Sequence, residues 1–174
     1  MRDDRDNFEI PAWVDGQLRP VDKIAVHERG LRHPAVSVFV MWRGQILLQQ
    51  RAAAKYHTPG LWANSCCTHP LWGEAAEDCA RRRLEEELGL ADLPLRPARQ
   101  IEYRADVGGG LVEHELVEVF LSEPAQEPRP RPAPEEVQDT AWITPEALRA
   151  DLAERPERYT PWLRIYMGKA DLLG

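Results

Sequence analysis

Apolar and polar positions along this chain change their spacing several times, and each change marks an element. "AVSVFVMW" (35–42) and "QILLQQR" (45–51) alternate or run apolar at strand length, and Arg43-Gly44 between them predicts a hairpin. From Glu74 to Leu88 the apolar positions Ala76, Ala80, Leu84 and Leu88 recur at helical spacing, and Gly89 stands where a helix stops. "QIEYRADV" (100–107), Gly108-Gly109-Gly110 and "LVEHELVEVFLSE" (111–123) predict a second hairpin. On its second strand Glu113 and Glu115 leave the same face. Pro124, Pro128, Pro130, Pro132 and Pro134 make residues 123–137 an exposed loop. "TAWI" (140–143) reads as a short strand, and Thr144-Pro145 and Thr160-Pro161 each open a helix with a cap and a first-turn proline. This order predicts an α/β (α+β) fold, a mixed sheet sandwiched between helices. No repeat divides residues 1–174, so one domain is expected, with 1–10 a flexible N-terminal extension.

Charge and cysteine usage narrow the partners. A net charge of -7 argues against a general nucleic-acid or membrane binder, since a polyanion is repelled on average, but leaves room for a local basic pocket. "MRDDRDNFEI" is too charged for a signal peptide, and no apolar run reaches the roughly 18 residues of a membrane span. A cytoplasmic protein is expected, monomer or homodimer. Three cysteines without a secretory signal favour reduced thiols over a disulfide framework. Cys66 and Cys67 should point opposite ways on an extended backbone, so one of them reaches a site, whereas Cys79 on the helix reads as a core residue.

His69 lies two residues from Cys67, and "VEHELVE" puts two carboxylates on one strand face. Together with His27 and His33 they form a nitrogen- and oxygen-rich set suited to manganese, zinc or iron. His114, between the glutamates, should face the other way and is excluded; His57, ahead of "TPG", is read as structural. On the helix, Arg82 and Glu86 share a side, as do Arg83 and Glu87, which suits either a solvated lattice of ion pairs or an anion site.

"GEAAEDCARRRLEEELGL" resembles the Nudix box, with Glu74, Arg82, Leu84, Glu86, Glu87, Gly89 and Leu90 on its pattern. Two positions depart from it: Thr68 stands at the leading glycine, and Arg83 replaces the first glutamate of the closing triplet. In Nudix hydrolases those glutamates hold magnesium against a diphosphate, so the departures weaken the hydrolase reading and keep the diphosphate. "KIAVHERGLRH", "QRAAAKYHTPGLWANSCCTHP", "EYRADV", "VEHELVEVF" and "YTPWLRIY" resemble one branch, the type I isopentenyl-diphosphate isomerases, over residues 11 to 168.

The resemblance implies a Nudix fold and an enzyme that moves a double bond between isopentenyl and dimethylallyl diphosphate. It implies Cys67 and Glu115 as the proton-transferring pair: Glu115, with Tyr103 beside it, delivers or relays the proton to the alkene and Cys67 takes one as thiolate, or the reverse in the back reaction. It further implies manganese or zinc on His27, His33, His69, Glu113 and Glu115. Magnesium would enter with the diphosphate on Glu87, among the cations Lys23, Arg51, Lys55 and Arg83. Trp162 would shield and stabilise a carbocation through its indole face. Three alternatives stay open: Cys67 as a metal ligand, a Nudix diphosphohydrolase, and a non-enzymatic binding module on the same fold.

Overall fold

A computed structural model describes residues 8–169 and 172–173. The expected N-terminal extension lies outside these residues up to position 7, but its end is ordered structure. Glu9–Val14 forms β1, pairs with β2 (Gln17–Asp22), and buries Ile10 completely. Asp15-Gly16 turns this ribbon with φ of 50° and 77°, the double positive φ of a type I′ hairpin. Asp22 then caps α1 (Lys23–Arg29), its carboxylate accepting from Ala25 N at 2.9 Å.

The main sheet contains β3 (His33–Trp42), β4 (Gln45–Arg51), β5 (Trp62–Ala63), β6 (Cys66–Thr68), β7 (Arg96–Gly108), β8 (Leu111–Ser122) and β9 (Val137–Ile143). Its strands run β5-β4-β3-β8-β7, with β6 also on β3 and β9 also on β4; β3 and β8 are parallel, the other pairs antiparallel. Both expected hairpins form. β9 starts three residues before "TAWI", so the proline-rich loop gives up Val137 to the sheet.

Helices cover both faces, as the strand alternation requires. Val36, Val38, Val40 and Phe120 pack against Cys79, Ala80, Leu84 and Leu88 of α2 (Ala76–Leu88). Ala35, Phe39, Val117 and Val119 pack against Leu148 of α3 (Pro145–Glu154) and Trp162, Leu163 and Tyr166 of α4 (Pro161–Met167). Cys66 belongs to the first layer and Cys67 lies against the second, so the adjacent thiols do point apart.

One irregularity positions the site. β3 and β4 pair only next to their turn, Met41 with Ile46 and Trp42 with Gln45, and then splay. Residues 62–68 cross this fork, pairing first with β4 and then with β3. At the crossing Ser65 Oγ accepts from Val40 N (2.8 Å) and donates to Leu47 O (2.7 Å), joining the separated strands through a side chain.

α2 ends at Gly89, whose φ of 63° is left-handed. Against it lies the proline-rich loop, with Arg131 N and Ala133 N donating to Leu88 O and Glu87 O. A Cβ on Gly89 would stand 3.0 Å from Arg131 Cβ and 3.1 Å from its carbonyl oxygen. Gly89→Ala is therefore expected to destabilise the fold by at least the roughly 1–2 kcal/mol of a left-handed non-glycine residue, read by denaturant unfolding. An unchanged midpoint would mean that the loop yields freely.

Candidate active site

Strand register brings the candidate residues together. His33 is level with Glu115 on the parallel β8, Glu115 is level with Tyr103 on β7, and Ser37 is level with Cys67 on β6. Because His33 and Ser37 are four apart on one strand, all of these side chains rise from one face of the sheet. Acid and base candidates therefore share a wall and line one cavity of about 50 Å³, whose far side carries Trp162. An outer hollow of about 490 Å³, lined in part by Lys23, Arg82, Arg83 and Glu136, adjoins it through Lys23, His69 and Arg83.

Beneath the cavity, ligand atoms of His27, His33, His69 and Glu113 lie within 4.8 Å of one another, all buried. His27 Nδ1 donates to Lys23 O (2.6 Å) and His33 Nδ1 to Leu31 O (2.8 Å). That fixes Nδ1 as the donor in both rings and turns each Nε2 inward, where both approach Glu113 Oε2, at 3.1 and 3.4 Å. An imidazole nitrogen this close to a carboxylate needs a positive charge between them, a proton or a metal ion. Burial pushes His33 down, but Glu113 and Glu115 outweigh it and raise it to about 10. Burial pushes Glu113 up, yet the imidazoles of His27, His33, His57 and His69 around it hold it well below the usual carboxylate range. His33 Nε2 is buried with no hydrogen-bond partner of good geometry among the described residues. Outer nitrogens tied to carbonyls and inner nitrogens converging on carboxylates are what a divalent metal ion takes as its surroundings. Glu115 completes the ring: its Oε1 accepts from His69 Nε2 (2.9 Å) and its Oε2 from the Tyr103 hydroxyl (2.7 Å).

Cys67 sits in a separate polar frame. Its Sγ donates to Asn64 Oδ1 at 2.9 Å, and Asn64 Nδ2 donates to Ser37 Oγ (2.8 Å) and Val38 O (2.9 Å). The Ser37 hydroxyl lies 3.4 Å from the sulfur. Burial pushes the thiol well up; Glu115 adds to the rise, while Ser37 and Asn64 oppose it. The hydrogen therefore rests on sulfur.

The cations reach the site but not as free charges. Lys55 Nζ pairs with Glu136 at 2.6 Å. Arg83 pairs with Glu87 (2.6 Å), Glu86 (2.8 Å) and Glu136 (3.4 Å). Burial opposes the charge of Arg83, and Glu87 and Glu136 restore it. Glu87 Oε2 accepts from Gln49 Nε2 (2.9 Å). Lys23 lies over the rings of Phe8 and Tyr56, and Arg51 lies 5.3 Å from the ring centroid of Trp162. The Nudix-box residues Glu74 and Arg82 serve the scaffold: Arg82 donates to both Glu74 oxygens, and Glu74 also accepts from Leu71 N, outside the helix expected to include it.

His57 corrects the structural reading given to it. Its Nε2 lies 3.1 Å from Glu113 Oε1, and its ring meets Trp162 edge-on. His114 turns away to Glu102, as its strand position required. Asn64, Ser37, Gln49 and Glu136 had no role in the sequence reading. The signal for Ser37, Gln49 and Asn64 was a polar residue inside an apolar strand or crossing; Glu136, in the proline-rich loop, gave none.

Residues 31–163 match the NUDIX domain family. An isopentenyl-diphosphate Delta-isomerase of Cereibacter sphaeroides is 60% identical over 158 residues, covering 91% of this chain and 89% of the relative. One of Rhodobacter capsulatus is 59% identical, covering 91% and 90%. The chain belongs to the isopentenyl-diphosphate Delta-isomerase family of Nudix-domain proteins. Its fold also resembles a crystal structure from Deinococcus radiodurans, with a TM-score of 0.73 at 21% identity, covering 92% of this chain and 97% of the other. In this isomerase-family chain the arginine of the altered Nudix box holds Glu86, Glu87 and Glu136 at one point, so the departure at position 83 is built into the site. Among the described residues no helix is long and apolar enough to cross a membrane.

Proposed function

We propose that this chain interconverts isopentenyl diphosphate and dimethylallyl diphosphate, with Cys67 and Glu115 exchanging protons with the alkene. The observation that carries the assignment is one narrow cavity lined by a thiol, a carboxylate–tyrosine pair and an indole, opening beside paired cations. Protonating an unactivated alkene leaves a tertiary carbocation. Such a site needs an acid, a base and a dry wall that stabilises positive charge. Trp162, about 3% exposed, supplies the wall, and its quadrupole is worth about 0.5–2 kcal/mol to a nearby cation.

The reaction is reversible, so each group is acid in one direction and base in the other. The resting arrangement, hydrogen on Cys67 and Glu115 accepting, begins the direction in which sulfur donates. In the order the resemblance implies, this is the back reaction, with Glu115 delivering first in the forward one. Tyr103 remains the group placed to pass a proton to Glu115.

His27, His33, His69, Glu113 and Glu115 would hold manganese or zinc. A divalent ion there supplies charge that fixes the Glu115 carboxylate and tunes its acidity. Glu87 would take magnesium arriving with the diphosphate, and Lys23, Arg51, Lys55 and Arg83 would meet its oxygens. Diphosphohydrolysis is the poorer reading, because Arg83 stands where the Nudix pattern has a glutamate and Arg82 engages Glu74 and Glu86.

Incubation with isopentenyl diphosphate and magnesium in heavy water tests the assignment. Deuterium in recovered dimethylallyl diphosphate is expected. Product without deuterium, or release of inorganic phosphate in its place, would overturn it.

A further inference from the structure

His57 neighbours His27, with ring centroids 6.0 Å apart, but meets the other oxygen of Glu113. Glu113 Oε2 faces His27, His33 and His69, whereas Oε1 meets only His57 Nε2 among the ion pairs it makes. The His57 ring belongs outside the group whose ligand atoms converge. We propose that His57, set by Thr58, is a positioning residue for the metal centre: it pins the outer oxygen of Glu113 so that the inner oxygen alone is presented, and braces Trp162 from the same ring. This inference rests on the metal reading given above.

The tautomer follows from the partners. A carboxylate only accepts, so Nε2 carries the hydrogen; Nδ1 is then bare and accepts from the Thr58 hydroxyl at 3.0 Å. Thr58 has φ of 45°, a left-handed conformation unfavourable to a β-branched residue. The backbone is held there by Arg51, whose Nε donates to Thr58 O (3.2 Å) and whose Nη2 donates to His57 O (3.1 Å). A turn serving only to reverse the chain has no use for threonine in that conformation, since glycine or asparagine adopts it at less cost. Here the hydroxyl reaches the imidazole. Edge-on contact at 5.8 Å from Trp162 ties the same ring to the wall of the cavity. Outer partners of this kind hold a ligand's orientation, and their removal typically weakens metal binding by roughly 10–100-fold.

The test uses Mn²⁺ binding to the full chain, followed by electron paramagnetic resonance of free Mn²⁺, with unfolding of the metal-free protein measured in parallel. His57→Phe keeps the ring against Trp162 and removes the donor; binding is expected to weaken by roughly 10–100-fold. His57→Gln restores an N–H and should recover part of the loss. Thr58→Val keeps shape and branching without the hydroxyl and should weaken binding, whereas Thr58→Ser should match the unaltered protein. If His57→Phe does not fold, the Thr58 pair decides, and equal affinity of Val and Ser variants overturns the proposal. Lowered unfolding temperature with unchanged Mn²⁺ affinity would reduce His57 to a structural residue and also overturn it. Failure of the unaltered protein to bind Mn²⁺ would instead remove the metal reading itself.

Discussion

Cys67→Ala is expected to lower turnover by roughly 10²–10⁴-fold, the contribution of a positioned proton-transfer group, while leaving metal content and unfolding temperature near those of the unaltered protein. The separation follows from the geometry. The sulfur is only partly buried and is held by Asn64 and Ser37, apart from the converging atoms of His27, His33, His69 and Glu113. Removing it leaves Asn64 with its donor contacts to Ser37 and Val38, so the crossing segment keeps its anchors. Metal analysis beside a turnover assay decides the matter. Loss of the metal together with activity would make the sulfur a ligand and sink the proton-transfer role.

Arg83→Glu is expected to raise the substrate concentration needed for half-maximal rate by roughly 10–100-fold, since a charged hydrogen bond is worth about 1.5–3 kcal/mol. The change inverts a charge at the meeting point of Glu86, Glu87 and Glu136. Four carboxylates would then repel a diphosphate, and Lys55, already engaged by Glu136, could not offset them. Arg83→Gln should fall between, lacking the charge without reversing it. If steady-state kinetics of the reversal variant match those of the unaltered chain, Arg83 has no part in holding the phosphates.

Sequence patterning carried much of this fold because the main elements announce themselves locally. α2 has apolar residues at helical spacing and a terminal glycine, and both main hairpins have turn residues that tolerate positive φ. The β1–β2 ribbon escaped because Pro11 and Pro20 interrupt its strands; they face each other across it, where two edge strands tolerate them. Asp15-Gly16 was the signal that could have revealed it. Residues of the metal group were legible only as a composition, and the resemblance joined His27 and His33 to strand β8. His57 was misread for the opposite reason. "HTPG" has the local chemistry of a turn, and nothing within it shows that the turn folds onto Glu113, far along the chain. Asn64 and Ser65 were invisible in the same way: their work is to satisfy backbone groups at a fork that only the assembled sheet possesses.

The divergence of β3 from β4 also bears on how such a protein changes over generations. Backbone groups that would have bonded strand to strand are met instead by residues 62–68, through their own backbone and the Ser65 hydroxyl, and these residues also carry the Cys67 thiol. The thiol is thus carried on a buried segment that also joins β3 to β4, while the β3–β8 pairing sets His33 level with Glu115. Mutational drift in that segment would therefore disturb the surroundings of the thiol and the join between the two strands together.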